Sequence, residues 1–297
     1  MNTKVTIGLC VKNGAKLVKI AFDSISIQDY PHKLMKLVIV DNDSSDNTLS
    51  LAMEFAKKTD IKTLVTSSKG GLGATRQIAV DNAEGDYIVW VDDDLVLSKD
   101  FVKNQVKFME ENPNLGAAKG VRIHVSNPTT IFSIDTYSSL LASRIQNPKI
   151  IGTGGAIFRL KALKSVGGFD VRIKGAGEDI DVSRRIRESG WTLAFNHSAK
   201  DYKKDPPATL KALWKKNRWY GYSRHFLFHK YKEQQSLINY FPPYALLSGV
   251  KMSCSIYRFT SIKKVFLFTF TYSFSMTANY IGFIRAHLDG YGHSNGS

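Results

Sequence analysis

The first 110 residues repeat one pattern four times: a short, nearly continuous apolar run followed by a stretch with helical periodicity. "KVTIGLCV" (4–11), "LMKLVIVD" (34–41), "IKTLVT" (61–66) and "DYIVWV" (86–91) read as strands, and residues 15–27, 45–58, 71–83 and 99–110 as helices. Strands apolar on both faces, separated by amphipathic helices, specify a parallel sheet covered on both sides. In such a sheet ligands bind beyond the carboxyl ends of the strands. Asn13, "DNDSSDNT" (41–48), "SSKGGLGATR" (67–76) and "DDD" (92–94) follow the four strands, so this topology collects all four at one sheet edge.

The acidic triplet raises a question of charge. Asp92, Asp93 and Asp94 repel one another at the mouth of a core strand. A hard divalent cation, Mg²⁺ or Mn²⁺, would offset that repulsion through carboxylate oxygen. A solvated acidic turn is the alternative that this stretch alone leaves open.

Further along, "AAKGVRIHV" (117–125) and "KIIGTGGAIFR" (149–159) are strand-like. A glycine-containing loop at 175–177 then runs into a helix opening with Glu178 and Asp179, where carboxylates suit the helix dipole. The length, 297 residues at 43% hydrophobic, suffices for one large or two smaller cores. Two cysteines, Cys10 and Cys254, exclude a disulfide framework, and no Cys/His spacing of metal-binding type is evident. The N-terminus enters a strand directly, so no secretory signal is expected and the folded domain is placed in the cytoplasm.

The net charge of +15 is unevenly spread: residues 198–297 carry 15 Lys/Arg against 4 Asp/Glu. Such asymmetry points to a polyanionic partner, nucleic acid or an anionic membrane surface. Residues 208–231 are basic and aromatic, and 265–284 contain no charge. The second stretch is long enough for a bilayer core. It also carries six Thr, Ser or Asn residues and an alternation of aromatics from Phe266 to Phe274 that mimics a strand. An interfacial segment, a transmembrane helix and a soluble core element all remain open.

"VTIGLCVKNG", "VIVDNDSSDNT", "GLGATRQIAVDNAEGDYIVWVDDD", "GTGGAIFR" and "GFD…GEDIDVSRRIRESGW", in this order and spacing, resemble family 2 glycosyltransferases over about residues 3–225. The resemblance implies a glycosyltransferase-A fold, an α/β mixed sheet flanked by helices, with a helical, membrane-associated C-terminal region. It implies a catalytic domain over 1–205, divided into a nucleotide-sugar half (1–110) and an acceptor half (111–205), and a basic-aromatic region over 206–297. The implied activity is inverting transfer of a sugar from a nucleotide-diphosphate sugar, UDP favoured, to a hydroxyl of a lipid-linked or cell-surface glycan, with Mn²⁺ or Mg²⁺ as cofactor. The implied location is the cytoplasmic face of the cell membrane, peripheral or integral through the C-terminal region, with no nucleic-acid partner.

By the same resemblance Asp41 meets the nucleobase, Arg76 reaches the diphosphate, and Asn13, Asp92 and Asp93 complete the donor side. Asp92 and Asp94 are the ends of the family's Asp-x-Asp element and hold the metal. Asp179 of "GED" is the general base. Gly154, Gly155, Glu178, Arg218 and Trp219 fall on the acceptor side, the last two in "KKNRW", which has Lys where processive relatives carry Gln. The family's usual third metal ligand, a His after the base helix, has no counterpart in place. Lys203 stands near that position, and His197, upstream, is the candidate replacement.

Two other readings compete. A sugar nucleotidyltransferase would show a glycine-rich loop with Arg and Lys after the first strand, which "CVKNGAKLVK" lacks. A non-catalytic membrane- or nucleic-acid-binding protein accounts for the basic C-terminal third but leaves Asp92–Asp94 and Asp179 without a role.

Overall fold

The structure, a computed structural model, describes residues 2–123, 143–203, 209–232, 242–261 and 263–292. They form two compact units. The first contains the described residues up to 174 and from 178 to 203; the second contains 175–177 and everything from 209 onward. The boundary expected at 205/206 lies outside the described residues, as do residues 124 and 125 of the strand expected at 117–125.

The first unit is one eight-stranded sheet. Its strands are β1 (Val5–Val11), β2 (Met35–Asp41), β3 (Lys62–Ser67), β4 (Tyr87–Val91), β5 (Leu95–Leu97), β6 (Leu115–Ile123), β7 (Ala156–Arg159) and β8 (Thr192–Lys203), in spatial order β3-β2-β1-β4-β7-β6-β8-β5. Helices α1 (Val18–Ser26), α2 (Thr48–Lys58), α3 (Leu72–Asp81) and α4 (Phe101–Glu111) connect or follow the first strands. Short α5 (Leu160–Ser165) and α6 (Glu178–Glu188) follow β7. Alternate residues of β2 show why its run is apolar throughout. Leu37 and Ile39 join one core with Phe22, Ala52 and Met109, while Val38 and Val40 join another with Ala79, Leu163 and Val182.

β1 to β4 are parallel, and the register sets Val11 opposite Asp41, Asp41 opposite Ser67 and Leu9 opposite Val91. Their carboxyl ends therefore share one edge, and the four polar clusters gather there. β7 runs antiparallel to β4, which delivers residues 154–155 to the same edge. The strand expected over 149–159 is thus shorter than its apolar content implied. Gly155 has φ +76°, outside the extended region, and only Ala156–Arg159 is strand.

Among the described residues the second unit holds three α-helices, α7 (Leu210–Tyr231), α8 (Pro242–Thr260) and α9 (Phe268–Leu288). The strand-like alternation at 265–284 is overruled: a 3₁₀ turn at Lys263–Leu267 leads into α9. What packs along α9 is a stripe of small residues at helical spacing, Thr271, Ser275, Asn279, Gly282 and Ala286, all buried. Phe270, in the aromatic series, is 69% exposed. The stripe lets two backbones meet. A Cβ on Gly221 would stand 1.8 Å from the Asn279 carbonyl oxygen, and one on Gly282 2.0 Å from that of Arg218. Among the described residues no helix is long and apolar enough to cross a membrane, which corrects the transmembrane alternative.

Candidate active site

The loops after β1 and β2 are tied together by polar side chains. Asn13, in the left-handed region at φ 52°, accepts from the Ser45 amide through Oδ1 at 2.8 Å, and its own amide donates to Ser44 Oγ at 2.8 Å. Asp41, at the end of β2, is buried. Its Oδ2 accepts from the Ser44 amide at 3.0 Å, while Oδ1 is buried with no partner. A carboxylate oxygen stripped of water and left unpaired costs free energy, and a ligand N–H at this point would satisfy it.

Arg76, on α3, is the electrostatic centre of the edge. Its side chain is 5% exposed; Nε donates to Glu178 Oε1 at 3.0 Å and Nη2 to Asp92 Oδ1 at 3.4 Å. The guanidinium lies 5.0 Å over the Trp90 ring, and Nη1 is buried with no partner. The side chain expected to reach a diphosphate is thus committed on two sides to carboxylates, with the Nη1 amino group remaining. Burial opposes the ionisation of Asp92, but the charges of Arg76, Lys203, Lys119 and Arg122 together outweigh it and hold that carboxyl below its ordinary range.

The triplet divides its tasks. Asp92 faces Gly154, where a Cβ would come within 2.2 Å of Oδ2. Asp93 lies against Gly14, and burial together with the charges of Asp94 and Asp92 raises its pKa to about 6. Asp94 Oδ2 pairs with Lys203 Nζ at 2.6 Å, while its Oδ1 is buried without a partner. Hard carboxylate oxygens, one of them orphaned, suit a divalent cation.

β8 runs antiparallel to β5, with Lys203 opposite Leu95 and Asp201 opposite Leu97. His197 therefore sits beyond Lys200, exposed in the bulge where the Ser198 carbonyl accepts from Asn104 Nδ2 at 2.8 Å. The structure does not bring His197 to the carboxylates and corrects that candidate. Lys203 occupies the neighbourhood instead.

Glu178 and Asp179 open α6. Glu178 is buried, and burial with the adjacent Asp179 charge pushes its pKa up to about 7. Asp179 is half-buried; Oδ1 accepts from the Ile180 amide at 2.8 Å, and burial raises its pKa too. Three groups that sequence reasoning missed border the same region. Lys119 Nζ donates to the Gly152 carbonyl at 3.0 Å, and burial with the nearby Arg122 lowers its pKa to about 8. Arg122 Nε pairs with the fully buried Asp201 Oδ1 at 2.7 Å, and Asp201 Oδ2, unpaired, faces Gly155. No local motif marks these residues; only the β6–β8 pairing brings them together. Arg218 and Trp219 lie on α7 in the second unit, with Trp219 44% exposed.

The edge is thus an acidic metal-type cluster and a separate carboxylate pair, joined through one arginine. Comparison with known proteins gives the same direction. The profile of the family described as "Glycosyl transferase family 2" matches residues 6–167, and that of "Glycosyl transferase family group 2" matches 87–285. The chain is 27% identical over 221 residues to poly-beta-1,6-N-acetyl-D-glucosamine synthase of Staphylococcus epidermidis, covering 71% of this chain and 52% of that protein. It is 30% identical over 101 residues to the poly(ribitol-phosphate) beta-N-acetylglucosaminyltransferase TarS of Staphylococcus aureus, covering 34% and 18%. The chain spans about half the length of the synthase it matches. Among solved structures, a mannosyltransferase from Pyrobaculum calidifontis in complex with GDP-Man and Mn²⁺ superposes with TM-score 0.69 at 19% identity, over 97% of this chain and 88% of that one. S. aureus TarS with UDP-GlcNAc gives 0.54 at 16% identity, over 96% and 92%. At these identities the likeness establishes the fold, glycosyltransferase-A. With a family profile running over more than half its length, the chain belongs to glycosyl transferase family 2.

Proposed function

We propose that this chain transfers a sugar from a nucleotide-diphosphate sugar to a hydroxyl of a glycan or lipid-linked acceptor, with inversion at the anomeric carbon. The observation that carries the reading is the pairing of two carboxylate groups with different environments at one sheet edge. One is Asp92–Asp94, with an orphaned oxygen; the other is Glu178–Asp179, both raised by burial, Glu178 to about 7. Asp179 takes the proton of the acceptor hydroxyl as its oxygen bonds to the anomeric carbon. The sugar–phosphate bond breaks on the opposite side, and its electron pair leaves with the diphosphate. A divalent cation, Mn²⁺ or Mg²⁺, held by Asp92 and Asp94, would supply Lewis-acid neutralisation of that leaving charge. The remaining Arg76 Nη1 amino group and Lys203 add fixed positive charge. Asp41 Oδ1 receives the base N–H, and Asn13 holds the loop beside it. Gly154, Gly155 and Glu178 shape the acceptor side of the first unit; within the second unit, exposed Trp219, with Arg218 before it, is by itself a surface on which a sugar can stack.

A UDP-sugar is the favoured donor, since the relatives named above include N-acetylglucosaminyl transferases and one structure holds UDP-GlcNAc. A thermal-shift panel of UDP-, GDP- and dTDP-sugars with and without Mn²⁺ tests it. A donor at 100 times its Kd adds about 2.7 kcal/mol of stability, several degrees in Tm for a domain of this size. The Mn²⁺-dependent part of the shift should vanish in Asp94→Asn. An equal shift in EDTA would remove the metal from the reading, and pyrophosphate release from a nucleoside triphosphate plus sugar phosphate would favour the nucleotidyltransferase.

We also place the second unit at a membrane surface. An apolar cavity of about 310 Å³ lined by Leu210, Leu267, Phe270, Thr271 and Phe274 lies in the basic part of the chain. Each base near an anionic surface contributes about 1 kcal/mol and is screened by salt. A buried Phe contributes roughly 1.5–3 kcal/mol and is not. Sedimentation with anionic liposomes should therefore survive high salt in the wild type and become salt-sensitive in Phe270→Ser. Protein left in the supernatant at low salt would sink the membrane reading.

A further inference from the structure

We propose a transition-metal site in the second unit, formed by His225 and His229 of α7 and His287 of α9, that takes Zn²⁺ or a similar borderline cation. His225 and His229 are four residues apart and share one helix face. His287 reaches them from the neighbouring helix. His225 Nε2 lies 3.1 Å from His229 Nε2 and 3.3 Å from His287 Nδ1, and the three ligand nitrogens fall within 4.8 Å of one another. Nitrogens bound to tetrahedral Zn²⁺ at about 2.0–2.1 Å stand roughly 3.3–3.4 Å apart. Two of the three separations are already near that value. The third closes by rotation of His229 and His287, which are less buried than His225.

The tautomer of the central ligand is set. His225 Nδ1 contacts the Tyr291 backbone carbonyl, which can only accept, so Nδ1 carries the hydrogen and the Nε2 lone pair faces the other two rings. A ligating imidazole whose second nitrogen donates to a carbonyl is the usual outer arrangement at metal sites. The scaffold is fixed beforehand, because the two helix backbones meet at Gly221 and Gly282, about one turn from the histidines. Three imidazoles select Zn²⁺, Cu²⁺, Ni²⁺ or Co²⁺, whereas the oxygen donors of Asp92 and Asp94 select Mg²⁺ or Mn²⁺. Ligand chemistry therefore sorts two kinds of metal between the two units. Three protein ligands leave a fourth position for water, and the bound ion ties α7 to α9.

The test uses the full chain, stripped with chelator, dialysed, and held in excess Mn²⁺. Titration with Zn²⁺ by calorimetry should give one site per chain, and Co²⁺ should give the visible absorption of a tetrahedral nitrogen site. His229→Ala and His287→Ala, at the less buried positions, should each weaken binding more than about 100-fold, beyond the usual loss for a supporting residue. The Asp92→Asn/Asp94→Asn variant should keep the full Zn²⁺ stoichiometry and the Co²⁺ spectrum. The proposal is overturned if wild type binds Zn²⁺ no more tightly than His229→Ala, or if the aspartate variant abolishes the signal, which would assign it to the carboxylates.

Discussion

Asp179→Asn is expected to lower kcat by about 10²–10⁴-fold, the range for loss of a general base, with donor affinity almost unchanged. Asparagine preserves the shape and the Oδ1 contact with the Ile180 amide, so the effect isolates the proton. Glu178→Gln should be milder, because Glu178 is buried and engaged by Arg76. The pH profile adds a second check. A base acts only when ionised, and burial raises the pKa of Asp179. Activity should therefore fall on the acid side at a pH above the ordinary aspartate value of about 3.9. Glu178 and Asp179 titrate as a pair. The Asp179 charge helps to raise Glu178, so Asp179 ionises beside a neutral Glu178, and Glu178→Gln should leave the acid limb almost in place. If Glu178→Gln were the more damaging variant, the base would be Glu178 and not Asp179.

The half of the site built from loops after parallel strands was legible because its cause is local. An apolar run that buries both faces must be a central strand, and four of them in series bring Asn13, Asp41, Arg76 and Asp92–Asp94 to one edge whatever the rest of the chain does. The other half depends on pairings across long separations. That Lys203 meets Asp94 follows from β8 lying against β5, more than 100 residues apart in sequence, and Lys119, Arg122 and Asp201 meet for the same kind of reason. His197 failed as a ligand because the bulge between Asn196 and Lys200 carries it to the far side of the β5 pairing. In the C-terminal helices the aromatic alternation misled, since bulk drew attention while the small residues of α9 set the contact. The expectation of no metal-type histidine spacing passed over the i, i+4 pair His225 and His229, and His287 joins that pair only through the packing of α9 on α7.

The largest stability effect should come from Arg76→Met. The side chains of Arg76 and Glu178 are 5% and 4% exposed. Removing one partner of a buried ion pair typically costs about 3–5 kcal/mol, because the other is left buried and uncompensated. For a unit of this size that corresponds to a fall in Tm of roughly 10 °C. The loss depends on pH. Glu178 has a pKa of about 7 with Arg76 beside it, and Arg76 lowers that pKa. Without the arginine it lies higher still, well above the unfolded value of about 4.3. In that window the folded state binds more protons than the unfolded one, so stability falls as pH rises. Arg76→Met should thus be nearly tolerated at pH 5 and severe at pH 8. The double variant Arg76→Met/Glu178→Gln removes both charges and should regain most of the lost stability at pH 8, flattening the pH dependence. Arg76→Lys should not, because a single ammonium cannot span Glu178 and Asp92 from one position while lying over Trp90. Thermal melts of the four members of the cycle at the two pH values measure this. A double variant as unstable as Arg76→Met would mean that the arginine stabilises by packing on Trp90 and not through Glu178.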